Sequence, residues 1–266
     1  RSRVRSYFTA AEGRKRVLEM LTLATKVDAI QTPTIIEAEI RELRLIAEKQ
    51  PRFNRRSKFQ EKAIWLRMTD EMFPRLSSVR GHLEITDDEI WCGPFNGREG
   101  AQQAIEAIHE VLQLRQCRPR ITIRSMKHAS PCALFDMGRC GAPCIGRESI
   151  DSYSTHLASL RVAIESDIRH LVNPLKQRMK ELALQERFEE AAEMRNRLSS
   201  LINGISRGLR IRSLSRIEEI ITAIAENERV EFAVIRHGKL AGTAIAELGF
   251  ERATLDSLKR SAEVVI

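Results

Sequence analysis

Residues 117–144 read CRPRITIRSMKHASPCALFDMGRCGAPC, and this stretch, here named the cysteine loop, governs the interpretation of the chain. It contains Cys117, Cys132, Cys140 and Cys144, although the whole chain of 266 residues has only five cysteines. Prolines and glycines recur through it, which predicts a loop that something other than an apolar core must hold. Four thiolates at such spacing suit a tetrahedral metal ion or an iron–sulfur cluster.

Two other interpretations of these cysteines stay open. A disulfide framework is typical of short secreted chains, whereas this chain is long, basic and shows no signal peptide. The thiols could also be small buried hydrophobic groups, which is the common fate of a free cysteine. Spacing alone does not choose between a metal or cluster site and buried thiols.

Positive charge is concentrated in two segments. The formal net charge is +8, and residues 1–58 hold 14 Lys and Arg against 7 Asp and Glu. Residues 115–147 hold 7 against 1. Two such basic segments predict contact with a polyanion, most simply the phosphate backbone of a nucleic acid. The alternative is an ordinary solvated cationic surface.

The hydrophobic pattern predicts an α+β chain that is mostly helical. Helical spacing of apolar residues predicts helices over 11–26, 36–48, 100–114, 153–171, 174–204 and 214–226. Strand-like patterns occur at 63–68 and 74–79, and a β-hairpin is predicted around residues 232–245, with His237 in its turn. Thr34, three residues before Glu37, predicts a capping box, and Gly204 is expected to end its helix.

Residues 173–204 predict a helical hairpin with one apolar stripe. We expect the stripe to be exposed and to form half of a four-helix interface with a partner protein, because two short helices are not stable alone. The alternative is packing against the chain's own helices at 153–171 or 214–226. The stripe comprises Leu175, Met179, Leu182, Phe188 and Leu198.

The two ends of the chain predict that it is a fragment of a longer protein. It begins with Arg1 rather than Met and ends on the apolar run Val264-Val265-Ile266. No stretch approaches about 18 uninterrupted apolar residues, so we expect no membrane contact and a cytoplasmic location.

Several motifs, in order along the chain, resemble segments of the UvrC family of excinuclease proteins. The resemblance covers roughly residues 1–250, with segments in places similar to a variety that carries an N-terminal DEDDh exonuclease. The motifs are RVRSYF at 3–8, PRFN at 51–54, TDEMFPRL at 69–76, GRCGAPC at 138–144 and RFEEAAEMR at 187–195.

The resemblance implies an organisation and a function. The activity it implies is a DNA endonuclease of nucleotide excision repair that acts on damaged double-stranded DNA and docks its UVR motif on a UvrB-like helicase subunit. The alternatives are a non-catalytic DNA-binding adaptor that recruits such a partner, or an exonuclease-fused nuclease. The implied segments are 1–80, the C-terminal part of a GIY-YIG nuclease domain; 81–150, a linker and cysteine-rich region; 151–205, a helical region with the UVR motif at 173–204; and 206–266, the start of a C-terminal α/β domain.

The resemblance also implies roles for individual residues. Arg3 would bridge oxygens of the scissile phosphate with its planar guanidinium, and Glu42 would hold Mg²⁺ or Mn²⁺. Tyr7 and Asn54 would shape the site by hydrogen bonding. The four thiolates of the cysteine loop would hold a four-iron four-sulfur cluster, with zinc as the alternative. Because the GIY and YIG strands would precede Arg1, we expect this fragment alone to be inactive.

Overall fold

The computed structural model describes residues 14–54, 63–81 and 89–263. They belong to two compact units, one made of Arg1–Gln60 with Ser215–Ile266 and the other of Glu61–Leu214. The predicted α+β class is confirmed, since helices accompany two three-stranded antiparallel sheets. In these three ranges, no helix has the length and apolar character needed to cross a membrane.

The described elements follow one another from the N-terminal side of the chain, with a short 3₁₀ turn at Pro143–Ile145. They are α1 (Lys15–Leu23), α2 (Ile35–Lys49), β1 (Ile64–Met68), β2 (Leu76–Arg80), β3 (Trp91–Phe95), α3 (Arg98–Val111), α4 (Ile123–Met126), α5 (Ala133–Asp136), α6 (Ile150–Glu165), α7 (Arg169–Leu184), α8 (Phe188–Arg216), β4 (Ile220–Glu226), β5 (Arg229–Arg236), β6 (Lys239–Glu247) and α9 (Glu251–Ser261).

In the first unit, α2 begins and ends where the local signals predict. The side chain of Thr34 accepts a hydrogen bond from the backbone N–H of Glu37, which is the N-cap arrangement expected of a threonine. Gln50 adopts a left-handed conformation at the C-terminus, and Pro51 follows it. The predicted helix over 36–48 is therefore confirmed, with one residue more at each end.

The C-terminal sheet of the first unit corrects one prediction. The helix expected over 214–226 is wrong in its second half, because residues 220–226 form β4 and pair with β5 from Ile220↔Ile235 to Glu226↔Arg229. The β-branched residues of this segment favour a strand once a neighbouring strand is present. The hairpin prediction is confirmed, with His237 and Gly238 at positive φ in its turn.

The second unit is built on the sheet β2-β1-β3 and the helices packed around it. Helix α3 lies against this sheet with Ala101, Ala104 and Ala107 fully buried, and these small side chains allow a close approach. The unit begins at Glu61, before the boundary predicted at residue 80, because β1 and β2 belong to the same sheet as β3. Its C-terminal limit, Leu214, also lies beyond the boundary predicted at 205.

Helix α8 corrects the prediction that Gly204 ends a helix. The helix runs on to Arg216 through both Gly204 and Gly208. A Cβ atom at Gly204 would lie 2.3 Å from the ring of Phe95, and one at Gly208 would lie 3.3 Å from the carbonyl oxygen of Gly93. The glycines therefore allow α8 to cross β3 closely, and they do not terminate the helix.

The apolar stripe of the hairpin is covered within the second unit. Leu175, Leu182 and Leu198 are buried, and Met179 packs half-buried against the same core. Helices α3 and α6 both contact α7 there. The prediction that the stripe is exposed is therefore wrong for four of its five members, because the neighbouring helices supply apolar surface. Phe188 alone is exposed, at 66%.

Candidate functional site: the cysteine loop and the nuclease residues

The residues expected to form the nuclease site are only partly described. Arg3 and Tyr7 lie outside the described ranges. Glu42 is exposed in the middle of α2. Asn54 is half-buried in the turn after α2, where its backbone N–H donates to the carbonyl oxygen of Pro51 at 3.3 Å. The structure therefore places these last two residues without bringing the four together.

A second carboxylate of α2, Glu37, was interpreted from the sequence only as a capping residue. It is half-buried, and its carboxylate accepts a hydrogen bond from the hydroxyl of Thr243 at 2.6 Å. Five positions along a helix rotate a side chain by about 140°, so Glu37 and Glu42 lie on different sides of α2. One metal ion could therefore bind either Glu37 or Glu42, but not both. The hydrogen bond that fixes the Glu37 carboxylate is a tertiary contact, which the hydrophobic periodicity of the sequence does not reveal.

The turn after α2 is held against α1 by two arginines. The guanidinium groups of Arg16 and Arg52 lie 5.9 and 5.4 Å from the centre of the Phe53 ring. Arg16 also donates to the carbonyl oxygen of Arg52 at 2.7 Å, and Arg52 pairs with Glu19 at 2.8 Å. These contacts position the residue that precedes Asn54.

The four cysteines of the cysteine loop line a single pocket together with Arg115 and several apolar side chains. Cys140 is buried, Cys144 is half-buried, and Cys117 and Cys132 are exposed. The fifth cysteine, Cys92, lies fully buried in β3, where burial raises the pKa of its thiol to about 12. The chain thus separates four converging thiols from one inert structural thiol.

Electrostatic coupling also marks the four thiols as neighbours. Burial raises the pKa of Cys140 and of Cys144, and the nearby Cys117 and Cys132 raise both further. Opposing this, the backbone of Ala142 hydrogen-bonds Cys140 and lowers its pKa. A positive ion or cluster would reverse the unfavourable effect, because thiolates that repel one another are stabilised by a shared cation.

The thiols do not form a ready site for one metal ion. Within the described ranges, no group of three His, Cys, Asp or Glu side chains is placed to hold a single ion. A mononuclear zinc site draws its sulfurs to about 2.3 Å from the metal. A set of four thiolates fits both a tetrahedral zinc ion and an iron–sulfur cluster.

Arg115 anchors the cysteine loop and was missed by sequence reasoning. Its side chain is fully buried and forms an ion pair with Glu71. Its Nε donates to the carbonyl oxygen of Phe73 at 2.6 Å. One terminal nitrogen donates to the carbonyl oxygens of Cys117 and Pro119 at 2.8 and 2.9 Å, and to the Cys117 sulfur at 3.3 Å. One guanidinium therefore joins the TDEMFPRL segment to the start of the loop.

Gly141 lies so close to the buried carboxylate of Glu148 that there is no room for a side chain at position 141. A Cβ atom at this position would lie 2.3 Å from a carboxylate oxygen of Glu148. Glu148 is buried, and its other oxygen bonds the Nε2 of His156 at 2.9 Å. The glycine between Cys140 and Ala142 therefore leaves space for an ionisable pair that packs against the loop.

Comparison with known families accounts for most of the chain in three consecutive segments. The sequence model described as the UvrC-like GIY-YIG domain matches residues 1–55, and that of the UvrC/Cho excinuclease middle domain matches residues 63–163. The UvrB/uvrC motif matches residues 171–201. These matches fall on α1 and α2, on the second unit with its cysteine loop, and on the α7–α8 hairpin.

Individual relatives give the same result. A protein of Mycobacterium tuberculosis described as a putative bifunctional exonuclease/endonuclease is 32% identical over 100% of this chain and 41% of its own length. UvrABC system protein C of Chlorobium luteolum is 31% identical over 91% of this chain and 39% of its own length. That of Treponema denticola is 28% identical over 91% and 36%.

The chain spans about two fifths of the length of these relatives. No solved structure matches the chain significantly. The agreement of three segment matches, in the order in which the motifs were found, shows that the chain belongs to the UvrC family.

Proposed function

We propose that this chain is part of a metal-dependent DNA endonuclease of nucleotide excision repair, which works in the cytoplasm and hydrolyses a phosphodiester of damaged DNA. The observation that carries the proposal is the succession of a GIY-YIG segment, a UvrC middle domain and a UVR motif in one chain. The UvrABC system protein C relatives, aligned across most of the chain, support the repair pathway.

The nuclease chemistry is assigned to α1, α2 and the residues before them. A bound Mg²⁺ or Mn²⁺ would polarise a phosphoryl oxygen and offset the charge that develops during hydrolysis. Glu42 is the proposed ligand, with Glu37 as the alternative that the structure adds, because its carboxylate is already held by Thr243. Arg3 would neutralise the scissile phosphate, and Tyr7 and Asn54 would orient it.

Nicking of damaged plasmid DNA by the intact parent protein tests this assignment. We expect Arg3→Ala, and substitution of whichever α2 carboxylate is the ligand, to lower the nicking rate by orders of magnitude while DNA binding persists, since both act on the charged transition state. Glu48→Ala, also exposed on α2, is the matched control. Normal nicking by both Glu37→Ala and Glu42→Ala would remove the metal assignment, and an inactive parent would favour the non-catalytic adaptor.

For the cysteine loop we propose a four-iron four-sulfur cluster bound by Cys117, Cys132, Cys140 and Cys144. The support is a shared pocket lined by the four thiols, with a guanidinium donating to one sulfur, in a segment that matches the UvrC middle domain. Chain purified without oxygen should be brown, with a broad visible absorbance that thiolate-held iron produces and zinc does not. A colourless chain with stoichiometric zinc and no iron would contradict the cluster.

For the UVR hairpin we propose docking on a UvrB-like subunit through its exposed end. Phe188 and Leu184 are 66% and 85% exposed at the junction of α7 and α8, so they are available to a partner as the buried stripe is not. Calorimetry with a UvrB C-terminal hairpin peptide should show that Phe188→Ala weakens binding by about tenfold or more, as for an aromatic hot spot. Ile150→Ala, an exposed apolar residue on α6, should leave the affinity unchanged.

An exonuclease-fused form of the same nuclease is the second candidate. The Mycobacterium tuberculosis relative, which aligns over all of this chain, is described by both activities. Sequencing the gene upstream of the codon for Arg1 tests this candidate, which requires an exonuclease domain to be encoded there.

A further inference from the structure

A broad groove of about 700 Å³ opens in the second unit where β2, α3, α8 and the start of the cysteine loop meet. Four arginines reach it from different parts of the chain, and we name it the arginine groove. Its charged and polar lining includes Arg75, Arg118, Arg139, Arg197, His109 and Gln116.

Two of the arginines are held in position by carboxylates. Arg139 pairs with Glu110 of α3 at 3.1 Å, and Arg197 pairs with Glu106 of α3 at 3.0 Å and more distantly with Glu193 of α8 at 3.8 Å. Such pairs on a partly exposed surface contribute little to stability. Their effect is to orient two guanidinium groups along the wall of the groove, where their remaining N–H groups stay available for a further acceptor.

The other two arginines have no acidic partner in the described part of the chain. Arg118 is exposed and makes no polar contact with the residues that the structure describes. Arg75 is half-buried, and its one side-chain hydrogen bond is a long contact of 3.4 Å to the carbonyl oxygen of Leu76. The four arginines against two glutamates leave the groove with a net positive charge.

Unsatisfied polar atoms beside the groove also point to a missing acceptor. The Nε atom of Arg75 and the Nε2 atom of His109 are shielded from solvent and have no hydrogen-bond partner among the described residues. Burial lowers the pKa of His109 to about 4, so its ring is neutral at pH 7 and carries one N–H. A bound anion would accept from the Arg75 Nε–H, and from His109 when its N–H lies on Nε2, after small side-chain movements.

The size of the groove and its repeated donors favour an extended anion over a compact one. The basic character continues beyond the groove, because Arg120, Arg124 and Lys127 are exposed on the adjoining cysteine loop. Several guanidinium groups around one groove can each bind one phosphate of a chain of phosphates in a bidentate manner. A single small anion would use only one end of this surface.

We propose that the arginine groove binds the phosphate backbone of DNA, at a place separate from the nuclease residues on α2. The choice of DNA as the polyanion rests on the proposed function, whereas the anion chemistry rests on the groove alone. Its role is to hold the duplex by sequence-independent contacts.

The test is binding of a fluorescein-labelled DNA duplex to the 266-residue chain by anisotropy, across a series of salt concentrations without divalent metal. The Arg75→Gln/Arg118→Gln variant should lower the dependence of log K on log salt by about 2, since each phosphate contact contributes about 0.9. That corresponds to a roughly 60-fold loss of affinity near 0.1 M salt. The control, Lys176→Gln/Lys180→Gln, removes the same charge from α7 and should lose less than about threefold.

Arg118→Gln alone keeps the test decisive if the double variant is unstable. This side chain makes no described contact, so the fold should persist, and the slope should fall by about 1 with a roughly eightfold loss of affinity. The groove and the nuclease assignment can fail separately, because this binding assay contains no divalent metal, whereas the nicking assay measures the metal-dependent chemistry of the α2 carboxylates. Equal losses in the groove and control variants, no DNA binding by the chain, or a loss of UvrB-peptide binding in place of DNA binding would each overturn the proposal.

Discussion

The helical core of the second unit and the cysteine loop are neighbours that are stabilised in different ways. The core buries a continuous set of aliphatic side chains from α3, α6, α7 and α8. The loop buries few side chains and depends on Arg115, whose side-chain hydrogen bonds reach two separate segments, at Phe73 and at residues 117–119. Apolar burial is spread over many contacts and tolerates the loss of one, whereas a single buried guanidinium concentrates the stability of the loop in one residue.

Replacing Arg115 should therefore have the largest effect of any single substitution considered. Arg115→Leu leaves the carboxylate of Glu71 buried and unpaired, so we expect the free energy of unfolding to fall by about 3–5 kcal/mol. Urea unfolding followed by tryptophan fluorescence measures this unit specifically, because both tryptophans of the chain, Trp65 and Trp91, lie in it. Arg118→Leu, three residues away and exposed, is the control and should change stability by less than about 0.5 kcal/mol.

The core should respond to truncation at the covered stripe but not at its exposed end. Leu175→Ala removes a fully buried side chain, and we expect a loss of about 3 kcal/mol by the same unfolding measurement. Phe188→Ala should lose less than about 0.5 kcal/mol, because the ring is mostly in solvent. Similar losses in both variants would show that Phe188 is packed and not free to meet a partner.

Adding even one methyl group where α8 crosses β3 should lower the free energy of unfolding. Gly204→Ala places a Cβ 2.3 Å from the Phe95 ring, and we expect about 2 kcal/mol of destabilisation from overpacking. Gly100→Ala, at a helical position of α3 where the nearest atom is 3.9 Å away, should instead stabilise by about 0.5–1 kcal/mol. Opposite signs for the two substitutions would establish that the close approach is essential, and equal signs would contradict it.

The smallest expected effect is a pH dependence that belongs to the core. Burial lowers the pKa of His109 to about 4, against the attraction of the nearby Glu106 carboxylate, which raises it. The unfolded chain therefore binds a proton between about pH 6.5 and 4 that the folded chain does not, so stability is complete above about pH 6.5 and falls as the pH drops toward 4. We expect a loss of about 1 kcal/mol between about pH 6.5 and 5, absent in His109→Gln, by urea unfolding across that range.

The contrast also explains which features the sequence could predict. The helices and strands with strong periodicity, such as α2, α3 and the hairpin of β5 and β6, lie within a few residues of their predicted positions. Periodicity reports which face of an element is apolar, but not which neighbour covers it, so the stripe of Leu175 and Leu182 was predicted to be open. The strand β4 was missed because its pairing with β5 is a tertiary contact.

The candidate sites also differ in whether a local sequence signal or only the folded structure identifies them. The cysteine spacing left open both a shared metal or cluster site and separate buried thiols, and the structure places all four thiols around one pocket. Arg115 and the arginine groove had no such signal, since arginines are common and their meaning depends on what surrounds them after folding. A buried arginine and an exposed one are indistinguishable in a sequence with 44 lysines and arginines.

Helix α8 connects the exposed end of the UVR hairpin to β3 in one continuous helix. It is a single helix of 29 residues without proline, about 43 Å long, with Phe188 at one end and Arg212 resting 4.6 Å from the Trp91 ring near the other. The glycines at which α8 crosses β3 lie about 24 Å from Phe188. Between these points α8 buries Ala191, Met194, Leu198 and Leu201, so a single helix packed along the core connects the exposed Phe188 end to β3, a strand at the edge of its sheet.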